Sequence, residues 1–378
     1  MRTLLPIFIC GLFLAFLSDR ASVYELDAYG ERIYIRRDWV LFFAMALAMA
    51  VFVGLRTRGN DTGTYHHMYD GLVAGWDTIR DIEWAKLAAA PGFVFVNTLL
   101  KMAGCSFQTY LMVYALFTVI TYLWFIRKYS CNILFSVFLF FTMGVYGFTM
   151  AAIKQTVAVA ILLIATDRAI QKKYISFIVL VLIAELFHPY AFIYLLIPLL
   201  DFCPWSSKTY FLLAASAAIA FGLQYLIEPL LAVTDALGAD YSENTFTGDG
   251  VNVFRVLVVW VPVLLSFIAQ KQIRGDGNRT SNIVMNLSMV NAMIMFIGLF
   301  GTANNFARLA NYFLIFQTLS LPWVMKYYTM GSRRFLTVGA VAGYLGYYYY
   351  GAAIANGSFD SIYSFISFGE FLRQLIRG

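Results

Sequence analysis

Apolar stretches recur along this chain at lengths near that of a membrane span, each closed by a short polar break. Residues 39–53, 107–126, 133–148, 283–300 and 335–353 are the clearest of them. In hydrocarbon a helix satisfies every backbone polar group within itself, so such stretches predict membrane helices. Composition agrees: 61% of residues are hydrophobic and 13% charged, with a mean hydropathy of +0.72. Soluble domains are roughly half apolar and about a quarter charged. The pattern predicts an all-α polytopic integral membrane protein. A single transmembrane domain over residues 1–378 would hold about 12 transmembrane helices, some of them short, broken or re-entrant.

Orientation follows from Lys and Arg in the short connections, which mark the cytoplasmic side. Arg20, Arg32, Arg36 and Arg37 form one such group, Arg127 and Lys128 a second, and Arg168, Lys172 and Lys173 a third. Lys271, Arg274 and Arg279, then Lys326, Arg333 and Arg334, complete the set. Residues 228–252 carry five carboxylates and no Lys or Arg, so they belong outside. This places extracytoplasmic loops near 56–91 and 228–254 and both termini outside. Residues 354–378 form a C-terminal interfacial segment, because the apolar residues from Ile362 to Ile376 fall on one helical stripe. Residues 1–17 lack a small-x-small site ahead of Asp19 and are expected to remain as the first helix. The net charge of +6 suits cytoplasmic loops and no nucleic-acid partner. Four dispersed cysteines and three histidines give no disulfide framework and no metal site.

Polar residues that interrupt this pattern are the functional candidates, since charges at the edge of hydrocarbon are costly. Four sites do so: the cluster at 54–69, Lys154 with Gln155, Glu185 with His188, and Asn304 and Asn305 with Arg308. The topology puts all four at the outer leaflet, where Lys154 and Arg308 depart from the positive-inside rule, as do Arg80, Lys86 and Lys101, to which no role is assigned. Arg56 and Arg58 are either headgroup anchors or phosphate ligands, a task that suits the fixed guanidinium fork. Lys154 snorkels or binds an anion, and Arg308 anchors a helix end or does the same. His188, before Pro189, either satisfies a freed carbonyl or serves as a general base. Glu185 lies one turn earlier and would orient His188 or carry the base role itself. Asp61 is the expected carboxylate partner of an arginine, or a second candidate base.

The ordered residues carry a family resemblance. Gly54-Leu55-Arg56, Asp61-Thr62, Tyr65 and Tyr69 resemble the GLR…D…Y…Y signature of the EpsG-type Wzy polysaccharide polymerases. Pro91-Gly92-Phe93 with Asn97 is similar to the family's PGF/Y-x-x-x-N segment, and Phe187-His188 to its Phe-His pair. Arg308 with Tyr312-Phe313 resembles its R-x-x-x-Y-F segment. Lys154-Gln155 stands where the family tends to have Arg-Gln, and Pro189-Tyr190 where a small polar residue is usual. Together these pieces span roughly residues 1 to 330.

The resemblance implies a metal-independent membrane glycosyltransferase without cofactors at the outer face of the bacterial cytoplasmic membrane. It would polymerise polyprenyl-diphosphate-linked oligosaccharide repeat units into a surface polysaccharide, an O-antigen or exopolysaccharide. Arg56, Arg58, Lys154 and Arg308 would hold the diphosphate, with Tyr65, Gln155, Asn305 and Tyr312 completing the substrate site. His188, with Glu185 or Asp61, would activate the acceptor hydroxyl. These residues are expected to gather beneath one outer-leaflet cavity. Besides substrate and membrane lipids, a chain-length regulator and a flippase are expected partners. The alternative is a secondary transporter or flippase for a lipid-linked sugar or another anion, because broken helices with intramembrane cations suit transport too. A membrane acyltransferase is a third reading.

Overall fold

The computed structural model describes residues 3–26, 32–236, 250–301, 303–355 and 359–377. The chain is predominantly helical, with two short strand pairs. In order come α1 (Leu4–Ala21), β1 (Val23–Leu26), β2 (Arg32–Arg36), α2 (Val40–Gly54), β3 (Arg56–Arg58), α3 (Thr62–Gly71), α4 (Trp76–Arg80) and α5 (Pro91–Met102). Then follow α6 (Phe107–Tyr129), α7 (Ile133–Thr142), α8 (Val145–Phe148), α9 (Ile153–Ile170), α10 (Tyr174–Glu185) and a 3-10 stretch, Ala191–Leu200. The last part holds α11 (Ser207–Ala236), α12 (Val253–Ile268), α13 (Gln270–Asp276), α14 (Arg279–Ile297), α15 (Ala303–Asn311), α16 (Leu314–Met325) and α17 (Met330–Tyr349). A π-helical turn leads to α18 (Phe359–Ile362), β4 (Ser364–Phe365) and α19 (Phe368–Arg377).

Among the described residues, α1, α6 and α14 are long and apolar enough to cross a membrane. The count reaches four if α12 and α13, bent by 75°, form one span. Further apolar helices, α2, α7, α10 and α16 among them, are shorter. Length and composition therefore support fewer full crossings than the expected number of about 12. The reason is local, because expected spans are cut. Gly144 at φ 82° ends α7 and splits the apolar run 133–148. The run from residue 174 breaks at residues 186–190, and its second half is 3-10 helix. The expected acidic loop falls largely on residues 237–249, outside the described residues.

The packing of α2 against α6 fixes the two ends of the molecule. At one end Gly54 meets α6 so closely that a Cβ would lie 2.5 Å from the Met112 sulfur. The Gln108 amide donates there to the carbonyls of Gly54 (2.5 Å) and Arg56 (3.2 Å). At the other end Arg37 donates to the carbonyls of Arg127 and Ser130. Arg127 returns hydrogen bonds to the carbonyls of Arg37 (2.8 Å) and Asp38 (2.9 Å). The pair is antiparallel and tied at both ends. Lys128 with Asp167, Arg279 with Asp201, and Lys326 with Asp276 gather at the same end as Arg37. The basic connections thus share one end, and the polar exceptions lie at the other.

Two features depart from an all-helical chain. β1 and β2 form an antiparallel hairpin. The C-terminal segment returns to pair β4 with β3, matching Arg56 to Phe365 and Arg58 to Ser364. The expected continuous helical stripe over the tail is therefore interrupted. Phe359 and Tyr363, one helical turn apart, stack at 4.3 Å between centroids and are buried, and the chain becomes extended just beyond them. Only α19 keeps the amphipathic form, with Leu372, Leu375 and Ile376 exposed, as an interfacial helix would have.

Candidate functional site

Arg56 leaves the end of α2 on β3 and turns inward. It is 1% exposed, yet its electrostatic neighbours are the hydroxyls of Tyr65, Tyr110 and Tyr363 rather than a carboxylate. Nη1 donates to the Val53 carbonyl at 2.9 Å, while Nε has no partner. Burial pushes the guanidinium down to about 10, so it stays cationic at neutral pH. The hydroxyls of Thr62 and Tyr110 are also buried without partners. Buried polar groups are nearly always bonded, and unpaired ones mark functional positions. A buried guanidinium without a carboxylate partner has the chemistry to attract an anion.

Tyr65 joins this arginine to the rest. Its ring packs on Phe93, and its hydroxyl accepts from the Lys154 backbone N–H at 3.4 Å. Arg56 and Arg308 both act electrostatically on that hydroxyl, as does Asp61. Burial nonetheless pushes it up to about 12, leaving Tyr65 a neutral donor. Lys154 is half-buried, with Nζ 5.3 Å from the Phe93 ring centroid. Gln155 donates to the Arg308 carbonyl at 2.5 Å, which binds the start of α9 to α15, and its own Oε1 is buried without a partner.

His188 reaches the cluster through the break after α10. Lys154 and Arg308 both lie close enough to act on its ring. Nδ1 and the Tyr312 hydroxyl are 2.7 Å apart, and Tyr312 is itself held by Tyr194, whose hydroxyl donates to its carbonyl at 2.6 Å. Tyr312, not Glu185, is therefore the group that orients His188. Glu185 instead accepts from the Phe192 N–H at 2.7 Å and closes the helix break.

The segment from Pro91 locks this break in place. Pro91 opens α5, and the Gly92 N–H donates to the Leu186 carbonyl at 2.8 Å. A Cβ on Gly92 would lie 2.8 Å from the Leu186 Cβ and 3.1 Å from that carbonyl oxygen. Asn97 then accepts from the Tyr114 hydroxyl at 2.8 Å, fixing α5 on α6. Replacing Gly92 by Val should cost roughly 1–3 kcal/mol through overpacking, read as a lower thermal midpoint in detergent. Activity should fall with it, because His188 is two residues past the displaced Leu186.

Arg56, Tyr65, Lys154, Gln155, His188, Arg308 and Tyr312 are thus brought together. Besides Glu185, Arg58 and Asp61 are placed differently from expectation. Arg58 donates to the carbonyls of Ser361 (2.5 Å) and Ile362 (3.3 Å) and holds the tail. Asp61 is exposed and makes no ion pair among the described residues, so the expected arginine partnership is not formed. Asn305 is half-buried on α15, one turn before Arg308. Sequence reasoning missed Tyr110, Tyr363 and Arg255. Arg255 carries the signal that marks Lys154 and Arg308: a cation just beyond the acidic stretch, on the side where cations are unexpected.

The expected cavity lies beside these groups rather than over them. A hollow of about 760 Å³ is lined by Asn60, Met150, Ala151, Asn311 and Arg255 among others, and by none of Arg56, Lys154, His188 and Arg308. Its lining includes Asn60, Ala151 and Asn311, sequence neighbours of Asp61, Lys154 and Tyr312. Among the described residues no group of three His, Cys, Asp or Glu side chains is placed to hold a metal ion.

A sequence model of the EpsG family matches residues 39–367. Neither a curated protein nor a solved structure matches the chain.

Proposed function

Given that the chain belongs to the EpsG family, we propose that it polymerises lipid-linked oligosaccharide repeat units into a polysaccharide at the outer face of the cytoplasmic membrane. The convergence of Arg56, Lys154, Arg308 and His188 on Tyr65 and Tyr312 carries this reading. In the reaction the terminal sugar hydroxyl of one unit attacks the anomeric carbon of the other. The carbon–oxygen bond to the diphosphate breaks, and the polyprenyl diphosphate leaves. Arg56, Lys154 and Arg308 stabilise the charge that develops on it, and the buried Arg56 does so where water is excluded. Lys154 in place of Arg supplies a point charge without the bidentate fork.

His188 takes the proton from the attacking hydroxyl. That role requires the tautomer in which Nδ1–H donates to the Tyr312 oxygen, leaving the lone pair of Nε2 facing the acceptor. The outward direction is supported by the opposite end of the molecule, where Arg37, Arg127, Lys128 and Arg279 gather as cytoplasmic connections do. A polyprenyl anchor, a chain-length regulator and a flippase belong to this proposal as partners.

The test is polymer formation from defined lipid-linked units by the purified protein. His188→Ala should slow chain growth by about 10²–10⁴-fold, the usual contribution of a general base. Tyr312→Phe should cost roughly 10–100-fold, as the loss of an orienting partner does. Undiminished ladders from both variants would refute the assignment.

A further inference from the structure

The hollow beside the cation cluster has no part in the chemistry above. Its volume of about 760 Å³ falls within the range of roughly 300–1,000 Å³ typical of small-molecule sites. Its wall combines tyrosine rings with a few convergent polar groups, which is the usual make-up of such sites. Tyrosine faces pack on the C–H faces of sugar rings, and the amides of Asn60, Asn252 and Asn311 match sugar hydroxyls. Arg255 is the single charged lining residue among the described residues. It stands in the first turn of α12, half-buried, within hydrogen-bond reach of the Tyr347 hydroxyl. Among the described residues no carboxylate lines the cavity to pair with it, so the wall favours an oxyanion on its occupant. Asn311 directly precedes Tyr312, which brings the edge of the cavity to the group holding His188.

We propose that this cavity seats the saccharide of the second, acceptor unit, with Arg255 gripping an oxyanion on it. That oxyanion is a sugar carboxylate or a phosphate oxygen. The proposal rests on the polymerase reading for the identity of the occupant. A polymerase must hold two units at once, and the Arg56 cluster accounts for only one. The cavity lies beside that cluster, with Asn311 on its wall next in sequence to the residue that holds His188.

Binding to the full-length protein in nanodiscs tests this without turnover. Three probes are used: a uronate-containing oligosaccharide on a short prenyl diphosphate, its carboxyl-reduced counterpart, and the prenyl diphosphate alone. Arg255→Gln should weaken the uronate probe by about 10- to 100-fold, the range for a hydrogen-bonded charge. Asn311→Asp, which sets a carboxylate in the same wall, should do the same and guards against a folding defect in either variant. Loss confined to the uronate probe identifies a sugar carboxylate. Equal loss for all three probes, measured in an Arg56→Met background, identifies a phosphate oxygen. Unchanged binding of every probe in both variants would overturn the proposal. A wild type that makes polymer, with variants of unchanged binding, would leave the polymerase reading standing and remove only this one. Weakened binding in a protein that makes no polymer would do the reverse.

Discussion

Arg56→Met should lower polymer formation by about 10²–10³-fold, as removal of a preorganised charge-stabilising donor does, yet leave the fold as stable as before or more so. The two effects come from one observation. Arg56 is 1% exposed, its Nε is unpaired, and tyrosine hydroxyls surround it in place of a carboxylate. An uncompensated buried charge is a net cost to folding, and replacement of buried ionic groups by apolar side chains of similar volume is often neutral or stabilising by about 1–4 kcal/mol. Met has comparable length and no charge. Arg56→Lys should fall between, since it keeps the charge and loses the fork. The readouts are the rate of ladder formation and the thermal midpoint in the same detergent. A steep loss of stability would assign Arg56 to the scaffold, and full activity would remove it from the site.

Ending the chain at residue 358 should lower activity nearly as far, although no residue assigned to the chemistry is deleted. The truncation removes β4, the Ile366 N–H that donates to the Leu55 carbonyl at 3.0 Å, and the carbonyls that hold Arg58. It also removes Tyr363, which accepts from the Asn60 amide at 2.8 Å and acts electrostatically on Arg56. Water would then reach the guanidinium, and a charge in water stabilises a developing anion far less than one in a dry site. Tyr363→Ala alone should give a smaller loss in the same direction. Polymer length in cells and the rate of proteolysis between β3 and α3 are the measurements. A truncated protein with normal chain lengths would show the tail to be dispensable.

The helical fold was legible because burial in lipid dictates the pattern: each apolar run answers a local rule. Lys154, His188 and Arg308 were legible as candidates for a related reason. Each is a polar exception, and the charge bias of the connections places all three on one side. What stayed hidden depends on partners far away in sequence. Nothing near Ser364 and Phe365 announces a strand whose partner is Arg56, since a two-residue strand has no period of its own. The Tyr312 hydroxyl on His188 was equally invisible, and adjacency along a helix favoured Glu185 instead. Asp61 looked like an ion-pair partner only because it is close in sequence to two arginines. The cuts at Gly144 and at residues 186–190 shortened the expected spans, as hydropathy does not register a positive φ or a switch to 3-10 geometry.

The tie between α2 and α6 has a consequence for the surrounding lipid. At about 1.5 Å per residue, the stretch of α6 between its two ties to α2, Gln108 to Arg127, rises about 28 Å, close to a hydrocarbon layer about 30 Å thick. With both ends of the pair pinned, that height is not adjustable by sliding. A bilayer thicker than this must thin around the protein, or the guanidinium of Arg56 must sit below the plane of the surrounding headgroups. Either way, thickness mismatch becomes a force acting on the depth at which an anchored phosphate meets its cation.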